Sequence, residues 1–116
     1  MRKKFIRKTV HNLCKEHCIK TDSLEDCLNT LDELEIRCIP YSSLSGETLE
    51  LCKKCTDYGF TFRRRVYYND DMPYEEIRFT LMHELGHIIM EHRGQLPKNE
   101  KEADYFASYI LNYKAA

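Results

Sequence analysis

Apolar residues recur along this chain at helical intervals, interrupted by two short β-rich runs, and the pattern predicts its elements in order. Residues 3 to 19 carry Phe5, Val10, Leu13, Cys14 and Cys18 at approximate helical spacing. After a turn at Thr21-Asp22-Ser23, one side of a second helix holds Leu24, Cys27, Leu28, Leu31 and Leu34. Ile36 to Pro40 reads as a short strand stopped by its proline. Ser45 is placed to cap a third helix that runs through Cys55 and is ended by Gly59. The run Phe60 to Tyr68 is β-rich and predicts one strand, and Asn69-Asp70-Asp71 turns out of it. The next helix is the best delimited. Pro73 suits its first position, Glu75 and Glu76 suit the positive end of the helix dipole, and Gly94 supplies a stop. Its apolar stripe is Ile77, Leu81, Leu85, Ile88 and Ile89. A last helix opens at Asn99, with Phe106, Ile110 and Tyr113 along one face. The expected architecture is α+β, with helices before and after a small sheet, in one domain spanning 1–116.

Composition narrows the class. A chain of 116 residues that is 42% hydrophobic suits one modest core. A net charge of −1 argues against direct nucleic-acid binding, which normally calls for a basic surface. Arg2, Lys3, Lys4, Arg7 and Lys8 make the start basic, but no apolar run follows them. No window approaches the ~20 apolar residues of a membrane span, so the expected location is the cytoplasm. Of the six cysteines, Cys14, Cys27, Cys38 and Cys52 fall on or near apolar positions and are expected to pack as reduced, small hydrophobes. Cys52 and Cys55 form a lone CxxC with no partner pair at zinc-ribbon spacing.

The chemistry concentrates in His83-Glu84-Leu85-Gly86-His87, an HExxH motif on the best-delimited helix. Residues four apart lie on the same helix face, so His83 and His87 can direct two imidazoles at one metal ion. Glu84, about 100° round the helix, is near enough to act as general base on water at that metal. Two histidines leave a catalytic zinc site one protein ligand short. Glu100 and Asp104 share a face of the following helix, so Glu100 can complete the set while Asp104 accepts a ring N–H from a histidine ligand. Glu102 is the competing ligand, although it stands three residues after Asn99 in the spacing of a capping box. Tyr105, Tyr109, His92 and several arginines are candidates for an oxyanion donor, and none has a diagnostic spacing.

Arg78-Phe79-Thr80-Leu81 before HELGH, with Glu100-x-x-Ala103-Asp104-x-Phe106-Ala107 after it, resembles the ImmA/IrrE family of small bacterial and phage metallopeptidases. The resemblance spans residues 66 to 111. It implies a minimal zincin-like fold, a zinc ion held by His83, His87 and Glu100, and Glu84 as general base. It also implies a zinc-dependent endopeptidase whose protein partner is a helix-turn-helix transcriptional repressor, cleaved to relieve repression. The alternative is a zinc-containing antirepressor that binds its partner without efficient proteolysis. Family members commonly extend the last helix into further helices. Here Ser108 to Tyr113 runs to Ala116, so a short form is expected. Arg63, Arg64 and Arg65 would favour acidic substrate segments if their strand borders the cleft, or would guard an exposed sheet edge against aggregation.

Overall fold

The apolar stripes close on one another in a computed structural model that describes residues 1–114. The expected end of a short form at Ala116 lies outside the described residues. Five α-helices and three strands follow in order among the described residues, with one 3-10 turn at Tyr41–Ser43: α1 Lys3–His17, α2 Leu24–Glu33, β1 Arg37–Pro40, α3 Gly46–Cys55, β2 Gly59–Phe62, β3 Arg65–Tyr68, α4 Tyr74–Ile89 and α5 Pro97–Leu111. The fold is α+β, as expected. The sheet order is β1-β3-β2, with β1 parallel and β2 antiparallel to β3. The HExxH helix α4 lies between the sheet and α5, packing also on α2, while α1 covers α5. The core joins Ile6, Val10 and Leu13 of α1, Leu31 of α2, Val66 of β3, Leu81 and Leu85 of α4 and Phe106 and Ile110 of α5. Among the described residues, no helix is long and apolar enough to cross a membrane.

Several local expectations need correction. Helix α1 buries Ile6 beside Val10 and Leu13, while Phe5 and Cys18, the residue that follows the helix, are exposed. Helix α2 is capped by the Ser23 hydroxyl, which accepts from the Asp26 amide at 3.0 Å, but Ser45 makes no such bond at α3.

The predicted single strand is two. Gly59–Phe62 and Arg65–Tyr68 pair as a hairpin, with Phe60 stacked on Tyr67 at a centroid distance of 4.9 Å. Arg63 and Arg64 form its turn with φ of +52° and +59°, the signature of a type I′ turn that usually takes Asn-Gly. Left-handed backbone costs an arginine about 1 kcal/mol or more. Arg64 offsets part of that by donating to the Leu34 carbonyl at 2.8 Å, and the Arg63 guanidinium lies 5.1 Å from the Phe62 ring centre. The three arginines therefore do not line one edge. Arg63 and Arg64 turn the chain, and Arg65 pairs inside the sheet.

Helix α4 begins one residue later than expected, with Pro73 before its first turn. It also stops well short of Gly94. Glu91 adopts φ of +55°, its amide donates to the Ile88 carbonyl at 3.1 Å, and the His92 amide donates to the His87 carbonyl at 3.0 Å. This is a Schellman termination, with a glutamate where glycine is usual. Its consequence is to fold His92 back over the last turn of α4. Helix α5 starts at Pro97 rather than Asn99. Asn99 instead ties down the preceding loop, donating to the carbonyls of Arg93 and Gly94 at 3.1 and 3.4 Å.

The cysteines are all free. Cys27 and Cys52 are buried and Cys14 and Cys38 half-buried, and burial pushes the Cys38 thiol up to about 12.

Candidate metal centre

Two glycines let three elements approach closely enough to build the site. A Cβ on Gly86, inside the HExxH motif, would lie 3.0 Å from the Phe106 ring, so glycine admits α5 against α4. A Cβ on Gly59 would lie 2.7 Å from the Tyr67 carbonyl oxygen and 2.9 Å from the Thr80 methyl, so glycine also admits β2. Thr61, two residues along the strand, shares that face with Gly59.

His83 and His87 project from successive turns of α4, and their Nε2 atoms stand 3.1 Å apart. Helix α5 brings Glu100 to both, with one carboxylate oxygen 2.8 Å from Nε2 of His83 and the other 3.4 Å from Nε2 of His87. Asp104, one turn on, places Oδ1 2.7 Å from Nδ1 of His83. The i, i+4 pair on α5 thus brackets one imidazole at both nitrogens, Asp104 holding Nδ1 so that Nε2 is turned toward Glu100 and His87, where a metal would sit. His83, Glu84 and His87 also present potential ligand atoms within 4.8 Å of one another. Glu84 lies 3.9 Å from the His83 nitrogen, farther than Glu100. Two imidazoles and a carboxylate converging on one point are a donor set suited to a borderline-soft divalent ion.

Glu84 is buried, and its Oε1 accepts from the Thr61 hydroxyl at 3.0 Å. Burial pushes its carboxyl up to about 7, against the pull of His83 and the Thr61 hydrogen bond, while Glu100 adds to the rise. Burial and the neighbouring His83 lower the pKa of His87, which favours the neutral form that binds metals.

Glu102 faces elsewhere. It accepts from Arg2 at both oxygens, Nε at 2.9 Å and Nη2 at 2.8 Å, and its Oε1 is 3.0 Å from Nε2 of His92. Arg2 and His92 hold its carboxyl down to about 2. It neither reaches the inner nitrogens nor closes a capping box. Tyr105, another oxyanion candidate, accepts from Arg7 at 3.0 Å on the α1 side of α5.

His83, Glu84, His87, Glu100 and Asp104 open onto a cleft of about 950 Å³. Its walls include Phe60 and Thr61 of β2, Phe79 and Ile88 of α4, and Glu100 and Asp104 of α5. Among the described residues β2 is one of the two edge strands of the sheet, and it is the one on the cleft side. Thr61 is the site residue that sequence reasoning missed. A lone threonine in a β-rich run carries no signal until the strand is docked on α4.

Comparison with known families agrees with the geometry. The family model Peptidase_M78, described as the IrrE N-terminal-like domain, matches residues 40–113. No curated protein and no solved structure gives a match.

Proposed function

We propose that this chain, which belongs to peptidase family M78 (the IrrE N-terminal-like domain), is a zinc-dependent endopeptidase with His83, His87 and Glu100 as metal ligands. The observation that carries this reading is the convergence of Nε2 of His83, Nε2 of His87 and the Glu100 carboxylate beside a buried Glu84. The zincin-type donor set supports zinc as the ion, which when bound supplies Lewis acidity at the scissile carbonyl.

The chain's own residues do the rest. Thr61 anchors Oε1 of Glu84, which leaves Oε2 turned toward the histidine pair, 3.9 Å from Nε2 of His83. From there Glu84 removes a proton from the attacking water and delivers it to the leaving amine. A carboxyl that releases its proton near neutrality is suited to both transfers. Asp104 holds Nδ1 of His83 and so orients that ring. The open cleft and free β2 edge suit an extended polypeptide rather than a small ligand. The substrate class follows from the family resemblance: a helix-turn-helix repressor-like protein, cleaved in the cytoplasm to relieve repression.

Glu84→Gln is the deciding variant. It should retain zinc and bind the repressor while hydrolysis falls by at least ~10²-fold. If Glu84→Gln relieves repression in cells as well as wild type does, proteolysis is not the mechanism, and a zinc-containing antirepressor that acts by binding takes its place.

A further inference from the structure

His87 is held from behind by a hydrogen-bonded chain that begins just before α1. Its Nδ1 lies 3.0 Å from Nδ1 of His92. Nε2 of His92 lies 3.0 Å from Oε1 of Glu102. Glu102 in turn accepts from Arg2 through Nε, Nη2 and the backbone amide, the last at 3.3 Å. The His92 and Glu102 side chains are only 4% and 8% exposed. Arg2 precedes α1, outside the residues that match the family model.

The protons in this chain can be assigned from donor and acceptor capacity. A carboxylate accepts only, so Nε2 of His92 must carry the hydrogen that points at Glu102. A neutral His92 then has a bare Nδ1, which can only accept. The hydrogen between the two rings therefore belongs to Nδ1 of His87, and Nε2 of His87 is left bare, facing His83 and Glu100.

We propose that Arg2, Glu102 and His92 are positioning residues that fix the tautomer and orientation of His87 as a metal ligand. The Schellman turn that ends α4 before Gly94 makes this placement possible. That turn puts the His92 ring 5.1 Å from the His87 ring, centre to centre, at 72°. The hydrogen-bonded chain also gives Arg2, at the start of α1, a share in metal retention, although it is no ligand. The two histidines are thereby supported differently, His83 by the exposed Asp104 and His87 by a buried chain.

The inference rests on His87 being a metal ligand, and two measurements on the full chain separate its failure from the failure of that reading. The first needs no metal. Long-range proton–nitrogen spectra of the 15N-labelled, metal-free protein should show His87 protonated on Nδ1 and His92 on Nε2. A His87 ring protonated on Nε2 overturns the proposal whether or not zinc binds. The second is zinc affinity by competition with a chromogenic chelator. His92→Phe should weaken zinc binding by about 10- to 100-fold, because support behind a ligand is worth that much. His92→Gln can accept from His87 and donate to Glu102, so it should stay within a few-fold of wild type. Arg2→Met should fall between them. A His92→Phe protein that binds zinc as tightly as wild type overturns the proposal, as does a His92→Gln protein that folds yet binds as weakly as His92→Phe. If wild type binds no zinc, the metallopeptidase reading fails and the spectra still decide the hydrogen-bonded chain.

Discussion

Glu84 sits where its own charge is costly. Burial raises its carboxyl from 4.5 to about 7, which gives stability a definite pH dependence. Between those values the folded chain keeps a proton that the unfolded chain has released. The contribution is fully present below 4.5 and is lost as pH rises through 7. Glu84→Gln cannot ionise. In chelator, its stability should match wild type near pH 4.5 and exceed it at about pH 8, by a few kcal/mol at most. Urea unfolding at the two pH values checks this. An offset between the two proteins that does not change with pH would show that burial does not disfavour the Glu84 charge. The same residue is thus a liability for folding and an asset for proton transfer, as functional groups often are.

At the scale of elements, the site depends on how closely α5 approaches α4. Gly86→Ala adds a Cβ 3.0 Å from Phe106, a fully buried ring that has little room to move. Alanine gains about 1 kcal/mol of helix propensity, but overpacking typically costs 1–3 kcal/mol. A net loss of stability is expected. Because Glu100 and Asp104 ride on α5, zinc affinity should fall with it. Urea melts and zinc competition on the same variant test both parts, and a stabilised Gly86→Ala with unchanged zinc binding would show that the approach is not tight. The elements themselves were largely legible. Helical periodicity found α1, α2, α4 and α5, because each buries an apolar stripe, whereas α3, which buries only Cys52, was placed by its boundaries. The hairpin was not legible, because Arg63-Arg64 carries none of the residues that usually mark a type I′ turn. The end of α4 was misplaced for a related reason, since Glu91 takes the left-handed position in place of a glycine.

Across the whole molecule, a bound ion would tie α4 to α5, and so the sheet side of the core to the α1 side. Any ligand that binds only the folded chain stabilises it by mass action, about 2.7 kcal/mol when present at 100 times its Kd. Zinc should therefore raise the Tm of wild type by several degrees. The shift should vanish in a His83→Ala, His87→Ala double variant and shrink in Glu100→Gln. Calorimetry with and without zinc measures it. A wild-type Tm that ignores zinc, or an equal shift in the double variant, would count against a metal centre at these residues.

The sequence by itself determined what depends on short separations. Four residues make one helical turn, so HExxH already put His83 and His87 on one face. The same rule put Glu100 and Asp104 together, and they meet the His83 ring as their spacing suggested. What only the tertiary structure decided are pairings between distant residues. Pattern favoured Glu100 over Glu102 as a ligand but could not say where Glu102 would go. It is turned away by Arg2, 100 residues earlier in the chain. Thr61 reaches Glu84 across 23 residues because Gly59 lets the strand dock. His92 stands behind His87 because of a left-handed glutamate. Local periodicity carries no information about such contacts, since they form only when separate elements pack into one core.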